Sequence, residues 1–339
     1  FWFRRDLRLI DNHGLYEALQ SELPVLPIFI FDTNILEKLE NKEDKRVDFI
    51  FQALEKLNEY LEKQGKSIQI FYGKPLEIYE NLSQQYEIGN VFCNEDYEPY
   101  AIKRDQEIKD FLASKNINFY QFKDQVIFQK DEITKADGKP YTVYTPYSKQ
   151  WLLKFNDQNL EFFASEKKLE NLLNIEKQNI TLENIGFKKT NYLFENPKIN
   201  LEILEKYHET RNSPTKETSQ MSVHLRFGTI SARKLVKLAS ELNDNTYLKE
   251  LIWREFFMQI LWHFPKVVHH SFKEKYDNIA WENNEELFQK WCEGKTGYPI
   301  VDAGMRELNE TGLMHNRVRM VCASFLTKHL LTDWRIGEA

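Results

Sequence analysis

The order of strand-like and helix-like segments constrains the fold of this chain more than any other feature of its sequence. Up to about residue 125, short apolar runs rich in aromatic and β-branched residues alternate with amphipathic helical patterns; beyond residue 200 only helical patterns remain. Strands that alternate with helices pair in parallel through right-handed crossovers. We therefore predict an α/β domain with a parallel sheet at residues 1–125, an interdomain connector at 126–200 and an all-α domain at 201–339.

The spacing of the apolar residues predicts the individual elements. Apolar runs predict strands at 1–3, 23–31, 68–72 and 90–93. Apolar residues three and four positions apart predict helices at 46–63, 75–87, 101–114, 201–210, 231–242, 246–262, 285–292, 299–311 and 316–331. The stretch 156–200 is rich in Asn, Lys and Glu with weak periodicity, which indicates a long surface connector.

Composition excludes several classes of protein. With 42% hydrophobic and 29% charged residues among 339, the chain can bury two cores and is not a disordered polymer. Its cysteines, Cys93, Cys292 and Cys322, are too few and too scattered for a disulfide framework or a zinc site, which points to a reducing cytoplasm. No apolar run approaches the roughly 18 residues that a membrane span requires, so we expect no membrane contact.

The charges are unevenly distributed along the chain. The net charge is −6, yet from residue 221 onward 16 Lys and Arg stand against 15 Asp and Glu, and five of the seven Trp lie there as well. Clustered basic residues, rather than net charge, bind a polyanion. We therefore expect the C-terminal third to be the part of the chain that can face a polyanion.

Two short patterns suggest a phosphate loop and a metal site but lack the rest of each motif. Gly294-Lys295-Thr296 resembles the end of a phosphate-binding loop, but that loop needs a glycine at position 289, which is Gln289. The histidines at 263, 269 and 270 surround a proline without the ligand spacing of a metal site. We predict a turn at the first pattern and no metal at the second.

The helix predicted at 246–262 carries the most informative sequence. Helical spacing places Glu250, Trp253, Arg254 and Phe257 on one face. An ordinary amphipathic helix with a Glu250–Arg254 pair at its rim would show this pattern. A cleft in which the aromatic plate stacks on a flat heterocycle, while the carboxylate and the guanidinium bind its edge, would show it equally.

The helix that begins near residue 315 presents a second candidate face. Asn316, Arg319 and Met320 share this face, and Arg317 points away from it, where it is placed to bind phosphate. An amide both donates and accepts hydrogen bonds, as recognition of a base edge requires, and Met is an adaptable wall for a flat ligand. An ordinary basic helix with a methionine in the core would have the same sequence.

A hydroxyl-rich run, residues 218–222, precedes the helix predicted at 231–242. Hydroxyl groups and free backbone N–H groups bind phosphate or diphosphate well. An N-cap would explain one of the hydroxyls and a polar loop the others. Both interpretations fit the sequence.

Longer motifs resemble the photolyase/cryptochrome family over essentially the whole chain. Residues 2–8, WFRRDLR, resemble the family's opening strand and turn, and residues 141–147, YTVYTPY, resemble its YxVFTPF signature. The string ELIWREFF at 250–257 and the run from residue 296 through Asn316 to Trp334-Arg335 are long and specific. The chain is identified as a member of this family, which implies a Rossmann-like α/β antenna domain followed by a helical domain that binds FAD.

The resemblance also implies roles for individual residues around the flavin. Trp281 and Trp334 match two members of the tryptophan chain that passes electrons to the cofactor. The residues that would line or contact FAD are Tyr207, Thr218, Ser219, Gln220, Met221, Ser222, Arg254, Asn316 and Arg319.

The same resemblance implies that UV-damaged DNA is the partner. The residues that would act on the lesion are Glu250, Trp253, Asn316 and Met320, and those that would bind DNA are Arg211, Glu250, Trp253 and Arg317. Asn316 and Met320 stand where (6-4) photolyases and animal cryptochromes carry His. The combination of Asn and Met is typical of class I cyclobutane pyrimidine dimer photolyases.

The function implied by the resemblance is light-dependent repair of cyclobutane pyrimidine dimers by electron transfer from excited, reduced FAD to the flipped-out lesion. Photolyases are among the enzymes known to flip their target base, and a damaged step is cheaper to unstack. The alternative is a cryptochrome-type blue-light photoreceptor that binds FAD and signals through a partner. A non-catalytic α/β nucleotide-binding protein would leave the C-terminal motifs unexplained. We expect a monomer.

Three departures from the family pattern affect these expectations. Leu313 stands where many relatives carry Trp, which alters a wall of the pocket. Tyr100-Ala101 replace the Asn-Glu pair of folate-binding relatives, so a folate antenna is disfavoured, while a deazaflavin, another flavin or no second chromophore stay open. The family continues beyond Trp334-Arg335, and we expect a C-terminally truncated chain that holds FAD poorly.

Overall fold

A computed structural model describes residues 1–338. These residues form two compact units, each with its own packing. The first unit comprises Phe1–Lys198 and Gln220–His263, and the second comprises Ile199–Ser219 and the residues from Phe264 on. The stretch 126–198 therefore packs within the first unit, and the domain bounds at 125 and 200 remain a prediction.

The first unit contains the parallel sheet that the alternation of strands and helices predicts. Its strands are β1 (Trp2–Phe3), β2 (Ile28–Asp32), β3 (Gln69–Gly73), β4 (Asn90–Asn94) and β5 (Asn118–Phe122). They lie in the order β3-β2-β1-β4-β5, with every pair parallel. The sequence patterns miss β5 because this edge strand has exposed or half-buried side chains and no continuous apolar run.

The helices follow the predicted periodicity closely in most places. In chain order they are α1 (His13–Leu19), α2 (Thr33–Leu36), α3 (Lys45–Leu61), α4 (Pro75–Gln85), α5 (Pro99–Ser114), α6 (Tyr144–Asn156), α7 (Leu201–Glu205), α8 (Tyr207–Thr210), α9 (Ser222–Phe227), α10 (Ala232–Ser240), α11 (Thr246–His263), α12 (Glu285–Cys292), α13 (Pro299–Thr311), α14 (Asn316–Lys328) and α15 (Trp334–Glu338). The sequence patterns miss α1, α2, α6, α9 and α15. All but α6 are too short for a clear helical period.

Both faces of the sheet are buried. Successive side chains of a strand point to opposite faces, so Phe29 and Phe31 enter a core with α1 and α3, whereas Ile28 and Ile30 enter a core with α4 and α5. A sheet covered on both sides needs apolar residues at every position of its central strands. This is why β2 appears in the sequence as a continuous apolar run.

The stretch 156–200 differs from the surface connector that its composition indicates. Five of its apolar side chains belong to the core that also contains α1 and α3: Leu169, Leu172, Leu182, Ile185 and Phe187. The segment has short 3₁₀ turns rather than long helices. Its apolar residues therefore lack a regular period although they are buried.

A buried ionic network fixes helix α10 to the turn after β1. The Arg8 guanidinium donates to Asp124 at 2.7 Å, and Arg233 of α10 donates to the same carboxylate at 2.8 Å and to Asp11 at 3.0 Å. Burial disfavours the Asp124 charge, but the two guanidinium groups outweigh this effect and lower the pKa of Asp124 to about 2.

Helix α9 ends where the chain passes very close to the opening motif. Gly228 has φ +67°, and a Cβ there would lie 2.1 Å from the carbonyl oxygen of Arg5. The Leu7 N–H donates to the carbonyl of Phe227 at 3.1 Å. Only glycine combines this left-handed conformation with so close an approach.

The second unit has its own helical core. Trp291, Val301, Met305, Val318 and Cys322 pack together between α12, α13 and α14. The Trp291 indole N–H donates to the carbonyl of Cys322 at 3.1 Å, which satisfies its polar atom inside the core.

Over residues 1–338, no helix combines the length and the apolar character that crossing a membrane would need.

Candidate functional site

Helix α11 carries three of the predicted site residues in the first unit. Its buried side includes Leu251, Ile252 and Phe256. Glu250, Trp253 and Arg254 lie at the margin of this side and are partly buried. Side chains at such a margin are held by neighbouring residues and stay accessible to a ligand.

The Trp253 indole is held by a stacked aromatic partner. The Tyr144 ring, at the first residue of α6, lies parallel to it with 3.6 Å between ring centroids and 5° between planes. The Phe256 ring meets the indole edge-on at 5.7 Å. Phe257 stacks at 5.4 Å and is 61% exposed, so an aromatic surface continues from Trp253 towards solvent.

The Arg254 guanidinium is bound by backbone carbonyls rather than by a carboxylate. It donates to the carbonyl of Gln125 at 2.6 Å and to that of Leu225 at 3.4 Å. Its pKa is lowered to about 10, first because burial disfavours the charge and then because the Arg5 guanidinium is near. An anionic ligand would stabilise such a cation, and the cofactor role expected for Arg254 fits this environment.

Glu255 is a site-supporting residue that the sequence reasoning missed. Its carboxylate accepts from the backbone N–H groups of Ile127 and Phe128 at 2.7 and 2.9 Å, and from the Trp151 indole N–H at 2.7 Å. Burial outweighs these bonds and raises the pKa of Glu255 to about 7. Glu255 thus ties α11 to α6 and to the irregular segment that contains Ile127 and Phe128. One signal in the sequence could have indicated this role, because Glu255 lies between Arg254 and Phe256 on the buried side of the helix.

The hydroxyl-rich run at 218–222 is divided between the units. Thr218 and Ser219 are half-buried in the second unit. In the first unit, Gln220 is exposed with φ 51°, Met221 is buried, and Ser222 opens α9. Met221 therefore contributes packing, while the polar members are accessible, as contact with a diphosphate would require.

In the second unit, α14 presents the predicted face to solvent. Asn316 is its first residue, and Asn316 and Arg319 are exposed. Met320 is 55% exposed and not part of the helical core. An exposed methionine beside an amide and a guanidinium fits a ligand-facing surface better than a core position.

One of the two arginines expected to bind DNA backbone, Arg317, contacts the residue that follows the other, Arg211. The Arg317 Nε donates to the Asn212 side chain at 2.8 Å, and Asn212 directly follows Arg211. The N–H of Arg211 in turn donates to the carbonyl of Tyr207 at 2.9 Å. The second unit thus brings Tyr207, Arg211 and Arg317 into one hydrogen-bonded neighbourhood.

The two tryptophans expected to transfer electrons line one groove of about 420 Å³ in the second unit. The Glu282 N–H donates to the carbonyl of Leu331 at 2.9 Å, and the Asp333 N–H donates to the Asn283 side chain at 2.8 Å. These bonds join the segment after Trp281 to the segment before Trp334. Neither residue is recognisable from local periodicity, because both lie outside long helices.

The residues of the two short patterns have bonding partners within the protein. Asp302 accepts from the N–H groups of Thr296 and Gly297 at 2.7 and 2.9 Å, so the donors that would bind a phosphate are bonded within the turn. His263 lies 3.8 Å from Asp131, and His270 lies 3.5 Å from Asp277. Among the residues described, no three His, Cys, Asp or Glu side chains form a metal-binding group.

Tyr100, one of the departures from folate-binding relatives, is held at the carboxyl end of the sheet. Its hydroxyl donates to Asp32 at 2.6 Å, and the Arg104 guanidinium lies 5.8 Å from its ring centroid.

Comparison with known proteins gives the same order of domains. Residues 1–166 match the profile described as DNA photolyase, and residues 247–339 match the FAD binding domain of DNA photolyase. The chain therefore carries the FAD-binding domain of this family. The two profiles together account for both predicted structural classes, α/β first and helical second.

Individual relatives align along nearly the whole sequence. A Synechococcus protein named deoxyribodipyrimidine photo-lyase is 33% identical over 374 residues, covering 100% of this chain and 75% of that protein. The structure of a class III photolyase from Agrobacterium tumefaciens matches with TM-score 0.84 and 29% identity, over 99% of this chain and 74% of that one. An archaeal photolyase from Sulfolobus tokodaii, solved with two FAD molecules, matches with TM-score 0.79 and 29% identity, over 100% and 76%. With both domain profiles matched in order and relatives aligned from end to end, the chain belongs to the DNA photolyase family.

Proposed function

We propose that this protein is a deoxyribodipyrimidine photo-lyase, which splits cyclobutane pyrimidine dimers in UV-damaged DNA under blue or near-UV light. The observation that carries the proposal is the margin of α11, where the stacked indole of Trp253 and the charged side chains of Glu250 and Arg254 are all partly buried. This combination provides a flat apolar surface with polar groups at its edge. A pair of linked pyrimidine bases has the complementary shape and chemistry.

The residues proposed to bind FAD fit an anionic dinucleotide. Arg254 is a partly buried cation that donates to the neutral carbonyls of Gln125 and Leu225, and the polar members of the run at 218–222 offer hydroxyl groups. Arg319 adds an exposed cation, while Asn316 adds an amide that both donates and accepts. When bound and reduced, FAD supplies the electron for ring splitting and takes it back, so the reaction has no net redox change.

The residues proposed to bind the lesion stack, hydrogen-bond and pack. Trp253 stacks on a flipped-out pyrimidine, an interaction worth roughly 1–3 kcal/mol per base. Glu250 accepts from a ring N–H, Asn316 donates to a carbonyl oxygen, and Met320 packs beside the base. Selectivity follows from the low cost of unstacking a damaged step rather than from sequence readout.

Trp281 and Trp334 are proposed to pass electrons towards the cofactor, and Arg211 and Arg317 to hold phosphates of the DNA backbone. The shared groove supports the first pair, since electron transfer requires closely spaced aromatic rings. The link from Arg317 to Asn212, next to Arg211, supports the second pair.

The test is the light-dependent loss of thymine dimers from an oligonucleotide, with FAD-loaded protein and a dark control. We expect repair by the unchanged protein, and loss of at least tenfold in repair rate for Glu250→Ala and Trp253→Ala. Tyr72→Ala, which removes an exposed aromatic ring from β3, is the matched control and should repair normally. Flavin binding without repair would favour a cryptochrome-type photoreceptor, and repair of (6-4) products instead would overturn the substrate.

A further inference from the structure

Tyr144 occupies one face of the residue proposed to stack on the lesion. The two rings are stacked and nearly parallel, with 5° between their planes and 3.6 Å between their centroids. A base therefore has only the part of the indole that Tyr144 and Phe257 leave uncovered on which to stack. Sequence patterns assign Tyr144 no role apart from its place in the motif at 141–147.

Tyr144 is itself fixed at both ends. Its backbone opens α6, and its hydroxyl donates to the carbonyl of Lys249 at 2.8 Å. Lys249 lies four residues before Trp253, one helical turn away on the same helix. The ring is thus attached to α11 at one end and to α6 at the other, directly across the indole.

The packing around the stack limits the indole further. The Phe256 ring lies edge-on to both Tyr144 and Trp253, at 5.9 and 5.7 Å. A partly exposed tryptophan without such partners would sample several rotamers, and a ligand would then have to immobilise it on binding. A side chain that is already ordered avoids this loss of conformational entropy.

We propose that Tyr144 is a positioning residue that pre-orders Trp253 for stacking on the damaged base. This inference rests on the proposed function, because it assumes that Trp253 meets the lesion. Tyr144 touches neither DNA nor flavin in this role; it acts through the indole. The aromatic ring is the essential part, and the hydroxyl adds a secondary anchor at Lys249.

The experiment measures the dissociation constants of FAD-loaded protein for an oligonucleotide with one thymine dimer and for the same undamaged oligonucleotide. Tyr144→Leu keeps an apolar side chain but removes the ring, and we expect it to reduce the preference for damaged DNA by roughly three- to tenfold. Tyr144→Phe keeps the ring and should stay within about twofold of the unchanged protein. Tyr120→Leu, which breaks the exposed stack of Tyr120 on Phe92, is the matched control and should change neither constant.

A double-mutant cycle separates positioning from a general structural effect. If Tyr144 acts through Trp253, Tyr144→Leu should have no further effect on damage preference in a Trp253→Ala background. An equal loss in both backgrounds, or an unchanged preference in Tyr144→Leu, overturns the proposal. A protein without any preference for dimer-containing DNA would instead refute the proposed function, and the positioning role with it.

Discussion

At the scale of single residues, the group with the largest effect on how the candidate site is held is a carboxylate that the sequence analysis did not identify. Glu255 lies between Arg254 and Phe256 in sequence but points into the first unit, where three N–H donors surround it. It is 3% exposed. A buried carboxyl group with this many donors fixes the orientation of the helix that carries Trp253.

Glu255 should make stability depend on pH near neutrality. Its pKa is raised from 4.5 to about 7 by burial, so the folded state holds a proton that the unfolded state has released between these values. The free energy of unfolding should therefore fall as pH rises from about 5 to 8, by about 3 kcal/mol in total from this group. The measurement is the difference in unfolding free energy between the unchanged protein and Glu255→Gln across this range.

Glutamine cannot ionise, so this difference should decrease steadily with rising pH. Glu161→Gln, at an exposed position, is the control and should give a constant difference. A difference that does not vary with pH for Glu255→Gln would show that the Glu255 carboxyl group titrates alike in both states.

At the scale of secondary-structure elements, a few residues make the contacts between distant segments. Each contact depends on the size or the charge of one residue. The contact of α13 with α14 depends on Gly304, because a Cβ there would lie 2.3 Å from Val318 Cγ1 and 3.0 Å from Cys322 Sγ. The contact of α10 with the turn after β1 depends on the Asp124 carboxylate between Arg8 and Arg233.

Gly304→Ala should destabilise the second unit although alanine is the better helix former. The added methyl group forces α13 and α14 apart, and overpacking of this kind costs about 1–3 kcal/mol. Ala303→Leu, at the exposed neighbouring position of the same helix, should leave the melting temperature nearly unchanged. Thermal unfolding followed by circular dichroism would detect the difference; equal melting temperatures for both variants would contradict the packing argument.

Asp124→Asn should destabilise the first unit by about 3–5 kcal/mol, because it removes the carboxylate that the buried Arg8 and Arg233 guanidinium groups share, although Arg233 keeps its pair with Asp11. Since the pKa of Asp124 is lowered to about 2, its contribution is present above the unfolded value of 3.8 and is lost as pH falls towards 2. Urea unfolding at pH 7 measures the effect. The control is Asp137→Asn, which breaks an exposed ion pair with Lys139 and should leave the midpoint unchanged.

At the scale of the whole molecule, an acidic protein is proposed to bind an acidic polymer. The net charge of −6 opposes DNA binding at long range, so affinity must come from individual cations near the phosphates. Arg317 is exposed and joined to the neighbourhood of Arg211 through Asn212.

Arg317→Ala should weaken binding to damaged and undamaged DNA by the same factor. Removal of one phosphate contact should also lower the slope of log affinity against log salt concentration by about 1. Arg46→Ala is the control, since Arg46 is an exposed arginine paired with Asp44 in the first unit. Titrations at several salt concentrations test both effects. A loss confined to damaged DNA would place Arg317 at the lesion instead of the backbone.

The sequence alone determined the class of each half and most element positions, because these depend on local periodicity. The first unit contains the predicted parallel sheet, and the helices predicted at 285–292 and 299–311 have the predicted bounds. The long motifs added the family, since matched strings at 250–257 and 296–335 are specific without any structure.

Only the tertiary structure decided which side chains meet. Trp151 and Ile127 reach Glu255 across 104 and 128 residues of sequence, and Gln125 reaches Arg254 across 129. Tyr144 covers one face of Trp253 because α6 and α11 pack together, which no period along the chain encodes. Local sequence sets the conformation of each segment, whereas burial and hydrogen bonding between distant segments select the neighbours of each functional group.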